Sequence, residues 1–172
     1  MDDSASPTST PPSTQVNPIP SAGISEILGL LEILDDRSGK EKVYTLARDL
    51  NLEFGTLLLV IKAAEMLEFV YTPGADVALK ALGKKMIEIE MNSKKRILLN
   101  QLKKLSLFRH IQDELSRAED RRMPKEQFLQ ILAGVLPKER PEQLFEIIIN
   151  WGRWGEFLGY SQDDDYVYLD QV

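Results

Sequence analysis

The first half of the chain places hydrophobic residues at helical spacing, in three segments separated by polar turns. The predicted helices span residues 24–34, 41–50 and 54–67. Ser21 or Ser25 can cap the start of the first helix. In the second helix, Tyr44, Ala47 and Leu50 have the spacing to face inward.

A β-hairpin is predicted directly after the third helix. Phe69-Val70-Tyr71 is rich in residues that favour strands, and Thr72-Pro73-Gly74-Ala75 has the composition of a turn. Val77 and Leu79 then alternate with small or polar neighbours, as in a returning strand. The order helix, helix–turn–helix, hairpin is that of a winged helix.

The second half of the chain repeats this plan after a helical middle segment. Residues 82–118 have helical periodicity, with predicted breaks near Asn92 and Ser106. Pro124 and Pro141 each stand where a helix is expected to begin. The last two predicted strands span residues 157–160 and 166–169.

This pattern predicts a mainly α fold with two small β-hairpins, arranged as two winged-helix-like lobes joined by helices. The N-terminal lobe is predicted over residues 21–91, the connecting helices over 92–122 and the C-terminal lobe over 123–172. Residues 1–20 are rich in Ser, Thr and Pro and carry almost no large apolar side chain. We therefore expect a disordered tail or linker there, removable without loss of stability.

The charge of the chain is unevenly distributed. The net charge is −6, but residues 84–110 carry eight Lys or Arg against only Glu88 and Glu90. A basic segment of this kind could meet nucleic acid or a membrane surface, although a charged helix face is more often simply solvated. No cysteine is present, and no run of about 18 apolar residues occurs, so an intracellular, non-spanning protein is expected.

The sequence contains little that could support catalysis. His110 is the single histidine and is expected to be a half-buried packing residue. No GxxxxGK[ST] phosphate loop exists, and Asp163-Asp164-Asp165 lacks the spacing of a calcium loop and is expected at a solvated hairpin tip. We predict that the chain is not an enzyme and has no catalytic, cofactor-binding or metal-binding residue.

The third helix fits a protein partner better than DNA. A DNA-reading helix presents Arg, Lys, Asn or Gln from its N-terminal half, whereas this helix has no base before Lys62. Leu59 and Val60 fall outside the apolar stripe formed by Leu57, Leu58 and Ile61, so this helix is apolar around most of its circumference. Leu59 and Val60 are therefore candidate protein-contact residues.

Several segments of the chain follow the residue pattern of a known domain family. They are PSAGISEILGLLE at residues 20–32, YxLAxxL at 44–50, AAEMLEF at 63–69, Leu82-Gly83 and, most specifically, Trp151-Gly152-Arg153 before a hairpin with tyrosines and acids. Together they resemble the AAA-associated C-terminal domain, which follows the ATPase domain in ABC-transporter ATP-binding subunits of the nitrate, sulfonate, taurine and bicarbonate class. The resemblance extends from about residue 20 to the C-terminus, and Trp154 and Gly155 replace an expected tyrosine and alanine.

The resemblance implies a regulatory or accessory module that binds an ABC-transporter ATPase domain or another protein, and leaves self-association possible. It implies no catalytic residue, and a location in the cytoplasm, with contact to the membrane only through a transporter. No ATPase domain precedes Pro20 in these 172 residues, so the alternatives are an excised fragment and a stand-alone relative. A winged-helix DNA-binding transcription regulator is the alternative function.

The two tryptophans near the C-terminus are expected to differ in role. Trp151 continues the stripe of Leu144, Ile147 and Ile148 and is predicted to be a core residue. Arg153 and Trp154 fall off that stripe. We therefore predict that Arg153 and Trp154 contact a partner, at an interface distinct from the core.

Overall fold

A computed structural model describes residues 15–170 of the chain. The helices are α1 (Ile24–Asp36), α2 (Val43–Leu50), α3 (Phe54–Met66), α4 (Ala81–Glu88), α5 (Met91–Leu102), α6 (Ser106–Arg117), α7 (Lys125–Val135) and α8 (Pro141–Trp154), with a 3-10 turn at Glu119–Arg121. The strands are β1 (Lys40–Lys42), β2 (Val70–Tyr71), β3 (Asp76–Leu79), β4 (Arg122–Pro124), β5 (Leu158–Ser161) and β6 (Tyr166–Leu169). The fold is mainly helical, as predicted.

The strands form two small antiparallel sheets of three strands each. β3 lies between β1 and β2, and β6 lies between β4 and β5. Both predicted hairpins are confirmed, and each gains an edge strand that the hydrophobic pattern did not indicate. The two halves share the order helix, strand, helix, helix, hairpin. Their assignment as winged helices stays a prediction.

The start of α1 is fixed by the far end of the chain. Neither Ser21 nor Ser25 caps the helix, contrary to the prediction: the N-cap is Gly23, without a side-chain cap bond. The backbone N–H of Ile24 instead donates to Oδ1 of Asn150 in α8, at 3.0 Å. A free N–H at a helix start needs an acceptor, and α8 supplies it here.

Trp151 lies at the centre of a core that both halves share. Its side chain is fully buried, which confirms the predicted core role. The indole Nε1–H donates to the carbonyl of Ala22 at 2.7 Å, and the indole ring lies parallel to that of Phe108, with the centroids 6.5 Å apart. The ring of Phe157 meets the Phe108 ring edge-on at 5.2 Å. Trp151 thereby joins the segment before α1 to α6, and Phe108 of α6 in turn contacts Phe157 before the last hairpin.

Helix α5 is attached to the N-terminal half by a buried glutamine. Gln101 is the one buried polar side chain within residues 15–170. Its amide donates to the Leu67 carbonyl at 3.0 Å and to the Glu68 carboxylate at 2.6 Å. Satisfying this buried amide fixes α5 against the end of α3. Helix α5 begins at Met91, one residue before the break predicted near Asn92.

The end of the predicted tail packs on the folded domain. Gln15 to Pro20 form neither helix nor strand, but Ile19 is buried and Val16 packs against the core. The backbone N–H of Asn17 also donates to Oγ of Ser106 at 2.9 Å. The core-attached chain therefore begins before residue 21, and the remainder of the predicted tail, residues 1–14, lies outside the described residues.

We predict that Trp151→Ala lowers the free energy of unfolding by about 3–5 kcal/mol, because it leaves a cavity in the shared core. Trp151→Phe keeps an aromatic ring against Phe108 but removes the N–H donor to Ala22, so its loss should be smaller. Urea unfolding followed by circular dichroism measures both losses. A loss below about 1 kcal/mol for Trp151→Ala would show that the core does not depend on this residue.

Candidate functional site

The side chains of Arg153 and Trp154 line a surface groove between α5 and α8, named here the corner groove. Its volume is about 550 Å³, and exposed Met91 lies at the start of α5 on the opposite wall. The full lining is Met91, Lys95, Glu146, Ile149, Asn150, Arg153 and Trp154. The groove thus combines apolar and aromatic surface with two cations and one carboxylate.

The sequence Trp151-Gly152-Arg153 forms the corner where α8 approaches the following hairpin. Gly152 is buried, and a Cβ atom at this position would lie 2.6 Å from Cγ of Leu158 in β5. Only glycine therefore allows α8 to approach β5 this closely. With Trp151 in the core, two of the three residues of this sequence serve packing and are not available to a partner.

Arg153 is exposed but is directed onto the hairpin. Its guanidinium donates to the backbone carbonyl of Tyr160 and lies 6.0 Å from the centroid of the Tyr160 ring. The Tyr160 hydroxyl in turn donates to the Asp165 carboxylate, and this hydrogen bond is the main reason why the pKa of Tyr160 is raised. Arg153 therefore links the end of α8 to β5 in addition to lining the corner groove.

Trp154 lines the corner groove beside Arg153, and its role as a partner contact stays a prediction. It is half-buried and packs against the core from the last turn of α8. Beside it, Nζ of Lys95 in α5 lies 3.1 Å from Oε1 of Glu156. This ion pair connects α5 to the residue that follows the end of α8, beside the Trp154 side chain.

The prediction for helix α3 is partly wrong. Val60 is only 4% exposed and belongs to the core, because the buried face of α3 runs through Leu57, Val60 and Ile61. Leu59 is 40% exposed and remains available to a partner. The expected contact surface on this helix is therefore Leu59 without Val60.

A second apolar surface surrounds the turn between α2 and α3. Tyr44, predicted to face inward, is 81% exposed, because α2 buries Leu46 instead. Leu52 and Phe54 are also exposed, and the rings of Tyr44 and Phe54 lie 6.0 Å apart. We name the three residues Tyr44, Leu52 and Phe54 the turn patch. The apolar start of α3 was visible in the sequence, but the outward direction of Tyr44 was not.

An arginine at the end of α1 fixes the helix that carries the turn patch. One guanidinium nitrogen of Arg37 lies 2.9 Å from the Glu41 carboxylate and the other 2.8 Å from the Asp49 carboxylate. After α2, Asn51 adopts the left-handed conformation with φ of 49°, which a short asparagine tolerates. These contacts position the turn patch against the folded body.

The basic segment is partly neutralised by acids from other parts of the chain. Lys95 contacts Glu156, and Nζ of Lys104 lies 3.1 Å from Oε2 of Glu68. His110 is half-buried, as predicted, with Nε2 3.8 Å from the Glu114 carboxylate. The ion pairs reduce the positive field that the sequence suggests for residues 84–110.

Within residues 15–170, no three His, Asp or Glu side chains lie close enough together to hold a metal ion. The acidic hairpin tip is tied to its neighbours, since Asp165 accepts the Tyr160 hydroxyl bond and its carbonyl accepts the Lys125 N–H at 2.9 Å.

Among the described helices, none has the length and hydrophobicity needed to cross a membrane.

The contacts of Arg37 predict a selective pKa change at Asp49. The Arg37 hydrogen bond is the main reason why the pKa of Asp49 is lowered, whereas the pKa of Glu41 is lowered chiefly by the Lys42 backbone N–H. Arg37→Gln should therefore raise the pKa of Asp49 more than that of Glu41, as measured by NMR carboxyl titration. Because folding lowers these pKa values, their contribution to stability is present above the unfolded values near 4 and is lost as the pH falls through the folded values. Equal pKa changes at both carboxylates would contradict this assignment.

Comparison with known proteins identifies the family. A family model described as the C-terminal AAA-associated domain matches residues 44–161. No curated protein and no solved structure matches the chain. The matched range covers more than half of the chain and runs from α2 to the end of β5, so it includes the turn patch and the Trp151-Gly152-Arg153 corner. The chain belongs to the family of C-terminal AAA-associated domains.

Proposed function

We propose that this chain is a non-catalytic accessory domain that binds the ATPase domain of an ABC-transporter ATP-binding subunit and regulates or assembles it. The class proposed is that of nitrate, sulfonate, taurine and bicarbonate transporters. Membership of the C-terminal AAA-associated family supports an accessory role beside an ATPase. In this role the chain lies at the cytoplasmic face of the membrane, held there by the transporter.

The observation that carries the proposal is the half-buried Trp154 in the corner groove. A tryptophan supplies a large apolar surface at a low entropic cost when its backbone is already rigid. Trp154 ends a helix whose opposite face is core, and the Lys95–Glu156 ion pair holds the neighbouring wall. Interface energy concentrates at such anchored aromatic residues.

The charges around Trp154 favour a specific protein surface. Lys95 and Arg153 provide positive charge and Glu146 negative charge in the same groove. A partner that places an apolar side chain on Trp154 and opposite charges at the rim would be selected over other proteins. Mixed charge of this kind suits a protein better than a polyanion.

No reaction is assigned to the chain in this proposal. ATP hydrolysis belongs to the partner, because the sequence lacks the glycine-rich loop with lysine that cradles phosphates.

The exposed start of α3 argues against the alternative function, a DNA-binding regulator. That surface presents Leu52, Glu53 and Phe54 to solvent. A helix that reads DNA needs basic or amide side chains there, since phosphates repel a carboxylate and gain nothing from an apolar surface.

We predict that Trp154→Ala weakens binding to the ATP-binding domain of a transporter of this class by about 5–30-fold, or about 1–2 kcal/mol. The fold should stay nearly intact, because the side chain is only half-buried. Isothermal titration calorimetry measures the affinity, and thermal unfolding measures the stability. Tyr168→Ala, which truncates an exposed aromatic residue in the hairpin, is the matched control and should leave the affinity unchanged.

Two results would contradict the proposal. One is equal affinity of the unchanged protein and the Trp154→Ala variant for the ATP-binding domain. The other is binding to mixed-sequence duplex DNA at low salt that weakens steeply as salt is added, which would favour the DNA-binding regulator.

A further inference from the structure

The turn patch is the main concentration of exposed apolar surface in the described chain. Seven large hydrophobic residues are exposed within residues 15–170, and the three residues of the turn patch are among them. The other four, Leu59, Tyr71, Met91 and Tyr168, do not line the groove at this turn. Isolated exposed hydrophobic residues are common, whereas a cluster around one turn indicates a surface that another molecule covers.

The shape of this surface combines a projection and a concavity. Tyr44 projects with 81% of its surface exposed, beside a groove of about 770 Å³. The floor and walls of the groove come from Ala47, Asn51, Leu52 and Phe54, together with Tyr44 itself. A surface that carries both features can receive the projection of an identical surface while inserting its own, as a two-fold contact requires.

The rim of the groove carries one positive and one negative side chain, so two identical surfaces can pair through opposite charges. Arg48 and Glu53 both line the groove and carry opposite charges. Nε of Arg48 contacts Asp49 at 3.1 Å, yet the Arg48 side chain remains 76% exposed. Glu53 is exposed at the N-cap of α3 and makes no side-chain capping bond. A two-fold axis that passes midway between Arg48 and Glu53 would bring Arg48 of each copy to Glu53 of the other.

We propose that the turn patch binds a second copy of this chain in a symmetric dimer. Tyr44 and Phe54 of each copy fill the groove of the other, and two Arg48–Glu53 pairs close the rim. We expect this dimer to be weak and to form reversibly, because the patch offers only three large exposed apolar residues, whereas a typical stable complex buries about 800 Å² on each partner. This contact uses α2 and α3 and leaves the corner groove free for the ATPase domain.

Sedimentation velocity over an about hundredfold concentration range tests the apolar part of the proposal. The unchanged protein should pass from monomer to dimer, and Tyr44→Ser should raise the dimer dissociation constant at least about tenfold. Met91→Ser, which removes an exposed apolar side chain from the corner groove, is the matched control and should leave the dissociation constant unchanged. A monomer at all concentrations would overturn the proposal.

Charge reversal tests the two-fold geometry. Arg48→Glu and Glu53→Arg should each abolish the dimer, because each variant meets two like-charged pairs across the axis. An equimolar mixture of the two variants should restore it, because both pairs are then opposite in sign. Loss of the dimer without recovery in the mixture would overturn the two-fold arrangement. Trp154→Ala should dimerise normally, so a failure of the ATPase-binding proposal remains distinguishable from a failure of this one.

Discussion

The hydrogen bond from the Trp151 indole to the Ala22 carbonyl joins two segments that are 129 residues apart. Its neighbour Asn150 caps the first N–H of α1, 126 residues away. A buried donor and a buried carbonyl each lose free energy if they remain unpaired, so the two contacts fix α8 against the start of α1. The two halves of the chain consequently share one core, and the surface residues that follow Trp151 have fixed positions.

Because α8 is fixed in this way, the four consecutive residues at its end have different surroundings. Trp151 and Gly152 are buried, Arg153 is bonded to the hairpin, and Trp154 reaches the groove. Mutations in this short segment should therefore have unlike consequences, and a general loss of function would not by itself identify an interface. The turn patch is built differently, since the Arg37 ion pairs hold its helix at the edge of the fold.

Sequence periodicity predicted the features that depend on local chain chemistry. The helices, both hairpins and the burial of Trp151 followed from it, because an apolar stripe must face a core. The edge strands β1 and β4 were missed because Lys40–Lys42 and Arg122–Pro124 carry no strand-like alternation and are strands only through pairing with β3 and β6. The direction of Val60 was wrong because α3 is apolar around most of its circumference, and tertiary packing selects the face that is buried. The direction of Tyr44 was wrong because α2 buries Leu46 and leaves Tyr44 outside. The Asn150 cap is a long-range contact that no local pattern indicates.

The different roles of the two tryptophans can be measured directly by acrylamide quenching of their fluorescence. Trp154→Phe leaves Trp151 as the single emitter, and Trp151→Phe leaves Trp154. We expect weak quenching of Trp151, which is fully buried, and several-fold stronger quenching of the half-buried Trp154 that falls when the ATP-binding domain is added. Equal quenching of the two residues, or quenching of Trp154 that the ATP-binding domain does not change, would contradict the division of this corner into core and interface.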